Sequence, residues 1–448
     1  MLRPSLPNAI LHPVRLLPLA FLALTFVGTL ILLLPFARSG EGTASLPAAI
    51  FTSTSAVTVT GLASVDTSTY WTPAGQAAIL VLAEIGGLGI VALATVLGLF
   101  IGGRLGLRTS LVAQADMHVV SLGEVRPLFR RVAVTMVLFQ LLIAGVLTVR
   151  YRLNYYDDVA TSLWHGVFDA VMSFNNAGFS LNSDSLVPYA GDAMVLVTFS
   201  VSVFIGAMGF PVLAELFQGW RRPSHWTIHT RLTVWGSVLL LVVAAVLFLV
   251  YEWNNAATVG SMSLPDKLVT GLEASTMTRS GGLNSFDWGR VQPETLNIAT
   301  VLMFIGGGSA STAGGIKITT FLLLGFVILA ELRGDPDVTV GRRSISAAVI
   351  RTALTIALLA VMLVVGATFA VMSMTDFEFD EVLFECASAF GTAGLSTGLT
   401  PRLPVDAQMT VALLMFVGRV GTIAAASAFV LRRRTTRYHL PEEQPIIG

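Results

Sequence analysis

Four short segments of this chain read alike, and they constrain its fold more than any other feature. They are Thr58-Val59-Thr60-Gly61-Leu62, Asn175-Asn176-Ala177-Gly178-Phe179, Arg279-Ser280-Gly281-Gly282-Leu283 and Gly391-Thr392-Ala393-Gly394-Leu395. Each ends in Gly and a large apolar residue, follows a short amphipathic stretch and precedes a long apolar one. Successive motif glycines are 117, 104 and 112 residues apart (178−61, 282−178, 394−282). A period of about 110 residues is too long for a solenoid repeat and suits two membrane helices with a re-entrant loop between them. Four such loops at membrane depth can surround one axis. A ring of backbone carbonyls about an axis is how a protein replaces the water around an ion.

The chain is 54% apolar and 12% charged, against an ordinary charged share of roughly 25%. With several apolar runs near twenty residues, that places it in a membrane. The runs pair within the repeats: 14–36 with 76–101, 132–149 with 193–217, 232–250 with an interrupted 296–329, and 347–372 with 409–431. The expected fold is therefore an all-α membrane protein. It has four helix–pore loop–helix repeats, hence eight transmembrane helices, around one pseudo-fourfold pore. The expected repeats are 14–102, 131–218, 231–330 and 346–431, followed by a cytoplasmic tail, 432–448. Stretches such as 47–57 and 163–174 are too short or too polar to span and are candidate pore helices. Arg3 and Arg15 precede the first run as in a signal peptide, but the run is too long for a typical signal core and reads as a retained span. Zero formal net charge implies no nucleic-acid partner. The single cysteine, Cys386, excludes an intrachain disulfide framework and a multi-thiolate zinc site, and reads as a small packing residue.

Basic residues predict the orientation. The linkers between repeats carry Arg104, Arg108, Arg126, Arg130 and Arg131, then Arg221, Arg222 and Arg231, then Arg333, Arg342 and Arg343. The tail adds Arg432, Arg433, Arg434 and Arg437, whereas segments within repeats carry acids such as Asp157, Asp158, Asp184 and Asp376. Positive residues lie inside, so both termini and all linkers are expected in the cytoplasm and the glycine loops enter from outside. The longest cytoplasmic segment, 102–131, is too short for a nucleotide-binding fold of its own.

Carbonyls that point at an axis in succession need backbone angles that glycine tolerates. Leu62, Phe179, Leu283 and Leu395 are expected to pack behind such a filter. Nine residues before the motif glycines stand Asp169, Glu273 and Glu385, with Thr52 in the first repeat. These acids are expected in the first turns of the pore helices. There the simplest role is helix-dipole compensation; a cation-attracting vestibule or a brace behind the filter is the alternative. The sixth apolar run is broken by Gly306-Gly307-Gly308-Ser309-Ala310-Ser311-Thr312-Ala313-Gly314-Gly315, followed by Lys317. Unpaired backbone in a membrane is tolerated where protein or water satisfies it, so this stretch predicts a loop under the filter that obstructs ions and moves. Ile316 separates Gly315 from Lys317, so the stretch is not a phosphate-binding Walker loop. Arg419 is a second charge in an apolar run, either paired with an acid such as Glu84 or Glu215 or functional in its own right. His165, alone at a pore-helix start, reads as a cap or lipid-interface residue. The spans carry no HExxH motif, metal-ligand cluster or Ser/Lys dyad, so an enzyme is not expected.

Together with Gly86-Gly87-Leu88-Gly89, His229-Thr230-Arg231, the Gly306–Lys317 stretch and Gly418-Arg419-Val420-Gly421, the four motifs resemble the Trk/Ktr/HKT superfamily of potassium and sodium transporters. The likeness runs from about residue 14 to 431 and is nearest the Ktr-type membrane subunit. It implies a homodimer in the cell membrane with one pore per protomer, and a cytosolic ring of nucleotide-binding regulatory subunits. No organic cofactor is implied in this chain; nucleotide is expected only on the regulatory partner. Potassium is the implied cargo, bound by carbonyls alone at Thr58, Val59, Thr60, Gly61, Asn175, Asn176, Ala177, Gly178, Arg279, Ser280, Gly281, Gly282, Gly391, Thr392, Ala393 and Gly394. In the family a serine at the first filter glycine accompanies sodium selectivity, and here that position is Gly61. Ser280-Gly281-Gly282 stands where Thr-Ala-Gly is common, and the added glycine loosens that loop. Arg419 takes the role of an electrostatic barrier below the filter. Channel-like passive permeation is the first reading. A Na+- or H+-coupled secondary transporter with alternating access is the second, supported by the broken helix and by Glu84 near midspan.

Overall fold

The computed structural model describes residues 13–89, 125–341 and 343–431. The expected second helix of repeat one beyond residue 89, Arg3, Arg104, Arg108, Arg342 and the tail 432–448 lie outside the described residues.

Helices build the molecule. Within the bounds expected for the first repeat lie α1 (Pro13–Leu32), α2 (Leu46–Thr58) and α3 (Pro73–Gly87), with a single helical turn at Thr67–Tyr70. The second has α4 (Val125–Asn154), α5 (Val159–Asn175), α6 (Ala193–Met208) and α7 (Phe210–Gly219). The third has α8 (Ile228–Glu252), α9 (Leu264–Met277), α10 (Pro293–Phe304) and α11 (Ile318–Arg333). The fourth has α12 (Ala347–Met372), α13 (Phe379–Gly391) and α14 (Val405–Leu431). A two-residue hairpin pairs β1 (Thr339–Val340) with β2 (Arg343–Ser344).

The short helices α2, α5, α9 and α13 precede the glycine motifs, and their starts are written in the sequence. Ser45 Oγ accepts from the Ala48 N–H at 3.4 Å, with Pro47 in the first turn of α2. The Asp158 carboxylate accepts from the Thr161 N–H at 2.8 Å at the start of α5. Ser263 Oγ accepts from the Asp266 N–H at 3.4 Å at the start of α9. Each cap satisfies one of the donors a helix N-terminus leaves open. Helix α13 lacks a side-chain cap and instead carries Asp380 and Glu381 in its first turn, where the helix dipole favours negative charge.

Packing links the repeats in a closed order. Within each repeat the first helix lies on the short one: α1 on α2, α4 on α5, α8 on α9, α12 on α13. Each later helix lies on the short helix of the next repeat: α3 on α5, α6 on α9, α10 on α13, and α14 back on α2. The four short helices are thereby brought to one centre. Glycine permits the close approach of helix to helix that membrane interfaces rely on. A Cβ on Gly86 would stand 2.1 Å from the Val57 carbonyl oxygen, and one on Gly418 2.1 Å from that of Phe390.

Three helices are long and apolar enough to cross a membrane among the described residues: 132–154, Ile228–Glu252 and Ala347–Met372. A fourth appears if α6 and α7 count as one broken span. The expected single helix 193–217 is in fact bent by 101° between α6 and α7. Gly209 sits at the bend with φ 90°, and Pro211 follows in the first turn of α7. A Cβ on Gly209 would lie 2.4 Å from the Ser309 carbonyl oxygen, so the bend accommodates the glycine-rich loop of the third repeat.

Candidate functional site

The four motif glycines meet. A Cβ on Gly61 would lie 2.4 Å from Gly178 Cα, and one on Gly178 would lie 3.1 Å from both Gly61 Cα and Gly282 Cα. A Cβ on Gly282 would stand 3.0 Å from Gly394 Cα, and one on Gly394 2.1 Å from the Thr60 carbonyl oxygen. The circuit therefore runs through the repeats in chain order and closes on the first. All four have positive φ, at 91°, 53°, 70° and 90° respectively. An L side chain there is strained, and each would collide with a neighbouring loop.

Strain continues two residues upstream. Val59, Asn176, Ser280 and Thr392 have φ of 57°, 60°, 139° and 46°. Two of these are β-branched, for which the left-handed region is a true outlier. Strain of this kind persists where surrounding structure over-determines it, and it gathers at functional sites. Leu62, Phe179, Leu283 and Leu395, which follow the motif glycines, are each buried.

Three loops turn alike. Val59, Asn176 and Thr392 cap their helices in the left-handed region, and the next residue's N–H returns to the helix. Thr60 N–H donates to the Ser55 carbonyl at 2.8 Å, Ala177 N–H to Met172 at 2.9 Å and Ala393 N–H to Ser388 at 2.8 Å. Loops one and four share a further brace: Gly61 N–H donates to Ser55 Oγ at 3.0 Å, and Gly394 N–H to Ser388 Oγ at 3.1 Å. Loop two is tied by side chains. Asn175 Nδ2 donates to Glu84 Oε2 at 2.6 Å, and the Asn176 amide, oriented to satisfy it, donates to the Val203 carbonyl at 3.3 Å. In loop three Thr278 keeps the right-handed conformation, and Gly281 and Gly282 N–H both point to the Met277 carbonyl, at 2.9 and 3.5 Å. Arg279, placed in the ring by its sequence position, turns its side chain out to Ser237 on α8.

The acids nine residues upstream are not in the first turns. Asp169, Glu273 and Glu385 lie in the middle or second half of α5, α9 and α13, and all three are buried. That overturns the dipole role and favours a brace. Glu385 accepts from Ser396 Oγ, from Thr397 N–H at 3.1 Å and from Thr400 Oγ1 at 2.8 Å, clamping the chain that leaves loop four. Glu273 accepts from Ser285 Oγ at 2.9 Å, doing the same for loop three. Asp169 differs: Tyr151 Oη donates to it at 2.7 Å from α4. Thr52 occupies the equivalent place in α2 and is buried. Near the same network, the Tyr156 hydroxyl stands 3.2 Å from His165 Nδ1, so His165 lies inside α5 against a tyrosine rather than capping it.

Residues 305–317 interrupt α10 and α11, as the glycine run predicts. Protein groups satisfy part of the backbone of this loop. Gly306 N–H donates to the Ile316 carbonyl at 2.9 Å, Gly308 N–H to Ala207 at 2.8 Å and Ile318 N–H to Gly307 at 3.1 Å. Phe210 N–H donates to the Ala310 carbonyl at 3.2 Å, which ties the α6–α7 bend to the loop. Lys317 Nζ donates to the Ala313 carbonyl at 2.7 Å. Ser311 Oγ donates to the Gly308 carbonyl at 2.7 Å. A Cβ on Gly314 would lie 2.2 Å from Thr392 Oγ1, and one on Gly315, at φ 66°, 3.1 Å from the Phe304 carbonyl oxygen. The loop therefore lies against loop four. Arg419, buried on α14, donates through Nη1 to the Thr312 carbonyl and through Nη2 to the Gly86 carbonyl at 3.0 Å. One guanidinium thus joins the loop, α3 and α14. Glu84 instead accepts amides from Asn175 and from Gln140 at 2.8 Å, and Glu215 accepts from Thr227 and Thr230 near the start of α8.

Several of these partners were readable. Serine recurs six residues before the motif glycine in repeats one and four. Gly209-Phe210-Pro211 is a breaker pattern. The Arg279–Ser237 and Asn175–Glu84 pairs, 42 and 91 residues apart, carry no local signal.

The chain matches the family described as TrkH, cation transport protein, over residues 7–436. It is 34% identical to Ktr system potassium uptake protein B of Bacillus subtilis over 417 residues, covering 93% of each chain. It is 32% identical to the potassium/sodium uptake protein NtpJ of Enterococcus hirae over 446 residues, covering 98% of each. Its fold is similar to the crystal structure of the potassium transporter TrkH from Vibrio parahaemolyticus, with a TM-score of 0.73 and 18% identity over 96% of this chain and 87% of that one. These relatives are transport proteins rather than enzymes. The chain thus belongs to the TrkH family of cation transport proteins.

Proposed function

We propose that this chain is the ion-translocating subunit of a potassium uptake system in the cell membrane. Potassium passes down its electrochemical gradient through the four glycine loops, dehydrated by their carbonyl oxygens. The observation that carries this reading is the closed circuit of four positive-φ glycines, one from each repeat. The names of the relatives supply the cargo, potassium, and one of them adds sodium. Glycine rather than serine at position 61 supports potassium. In this reading the chain spans the bilayer eight times with both termini in the cytoplasm, pairs as a homodimer, and works with a cytosolic ring of nucleotide-binding subunits. The pore is lined by protein alone, without an organic cofactor.

The loop 305–317 is the gate in this reading, lying against the fourth glycine loop with Arg419 holding its Thr312 carbonyl. An arginine there both latches the loop and opposes cation passage, since a fixed positive charge in a low-dielectric pore repels cations strongly. Removing it frees the loop and lowers the barrier.

Rubidium and sodium flux into vesicles reconstituted with the whole chain tests the proposal. Gly61→Ser is expected to raise sodium permeation relative to potassium, and Arg419→Ala to raise potassium flux. Passive flux without a second ion gradient is expected, whereas strict dependence on a sodium or proton gradient would favour a coupled transporter. An unchanged sodium-to-potassium ratio in folded Gly61→Ser would reject the loops as the selective element.

A further inference from the structure

Loop three lacks the left-handed helix cap of its neighbours, and a buried cation ties it to α8. Arg279 lies three residues before Gly282 and is only 4% exposed. Its Nη1 donates to the Ser237 carbonyl at 3.0 Å and its Nη2 to Ser237 Oγ at 3.2 Å. Its Nε has no protein partner among the described residues. Burying a guanidinium is costly unless its hydrogen bonds are met, and an apolar residue would fill such space more cheaply. The charge is retained against that cost.

The loop lacks the devices that fix the others. No left-handed cap closes α9, since Thr278 stays right-handed. Thr276, at the position of the bracing serines Ser55 and Ser388, donates its Oγ1 to the Leu272 carbonyl at 2.8 Å. Gly281 adds a residue without a side chain just before Gly282. Beyond the turn and the Glu273–Ser285 clamp on the chain that leaves it, two side chains of the loop reach other elements. Ser280 Oγ reaches sideways to the Thr392 carbonyl of loop four at 3.3 Å, and Arg279 reaches outward to α8.

We propose that Arg279, through Ser237, is a positioning residue for ion selectivity: this tie sets how far Gly282 stands from the centre of the ring. The proposal rests on the ring being the selective element, as argued above. A Cβ on Gly282 would already lie 2.5 Å from the Ala393 carbonyl oxygen, so a small outward shift of loop three changes the geometry presented by loop four as well. Selection between cations of different size depends on carbonyl placement and number. Releasing the tie lets loop three relax and weakens that choice. The planar fork of arginine matters here, because it meets a carbonyl and a hydroxyl of one residue at once.

The test measures sodium and potassium permeation in vesicles for Arg279→Gln, Arg279→Lys and Ser237→Ala, with Gly61→Ser as the reference. Arg279→Gln is expected to raise the sodium-to-potassium ratio about tenfold, the scale of one charge-assisted hydrogen bond. Arg279→Lys, which keeps the charge and loses the fork, is expected to give a smaller rise. Ser237→Ala removes one of the two acceptors and is expected to give the smallest. If Arg279→Gln does not fold, the other two carry the measurement. An unchanged ratio in all folded variants, with total flux merely reduced, would overturn the proposal when Gly61→Ser does shift the ratio. If Gly61→Ser also leaves the ratio unchanged, the premise fails and the inference falls with it.

Discussion

Loops one and four of the glycine ring brace the motif glycine from within; loops two and three lack that brace and are tied to a neighbouring helix. In the first pair a serine of the same short helix accepts the motif glycine's own N–H. In the second, the residue three before that glycine sends its side chain away: Asn175 to Glu84 on α3 and Arg279 to Ser237 on α8. An internal brace needs only that the short helix form. An external tie needs a neighbouring helix in place, so it transmits movement of that helix to the loop. Near-fourfold symmetry at the glycines therefore conceals two mechanical classes.

The largest effect is expected at the glycines, which both classes share. Gly394→Ala would place a methyl against the Thr60 carbonyl oxygen. Potassium uptake should fall at least ~100-fold, about 2.7 kcal/mol, by rubidium flux. Retained flux would remove the steric centre of the comparison. Next come the ties. Glu84→Gln turns an acceptor of two amides into a group that must also place its own donors, and should destabilise by about 2 kcal/mol, read as a lowered melting temperature in detergent. Selectivity should shift with it, because loop two loses its anchor. The internal braces rank third. Ser55→Ala and Ser388→Ala each leave one buried glycine N–H unpaired, at about 1–2 kcal/mol. The double variant should lose the sum, since the two sit in separate helices with no shared partner. Coupling beyond that sum would mean that loops one and four act as one unit.

The smallest effect lies outside the ring. Asp66 accepts from the Ser68 N–H at 2.9 Å and from hydroxyls of Ser68, Thr69 and Ser183, joining repeats one and two. Partial burial pushes its carboxyl up, but the hydrogen bonds from Ser183, Ser68 and Thr69 outweigh that and leave it below 3.8. A depressed carboxylate stabilises above its unfolded value and loses that contribution as pH falls through the folded one. The contribution should therefore be fully present well above 3.8 and be lost progressively as pH falls past that value and through the lower folded one. The melting-temperature difference between the parent and Asp66→Asn should close over that acid range.

Periodicity revealed much of this arrangement. The repeated Gly-Leu/Phe step gives the ring its members, and the glycine run 306–315 gives the break between α10 and α11, because few other features place glycine so regularly. The α12 bounds, Ala347–Met372, coincide with the apolar run. Where the chain departs from the run, the cause is tertiary. The 193–217 stretch is predominantly apolar, yet it bends at Gly209, where the third-repeat loop packs against it. The upstream acids share a fixed offset from the glycine, which says nothing of how long each short helix is before them. Their place in the body of the helix, facing the returning chain, became visible only once Ser285, Ser396 and Thr400 were folded back on them. Ser237 carries no mark at all; it is defined by what α9 brings to it.

Heavy-cation crystallography addresses the central claim most directly. Crystals of the whole chain grown in rubidium should show anomalous density on the line encircled by Gly61, Gly178, Gly282 and Gly394, with no side-chain oxygen nearer than the loop carbonyls. Rubidium bound elsewhere in the molecule, with that line empty in well-ordered loops, would contradict the account.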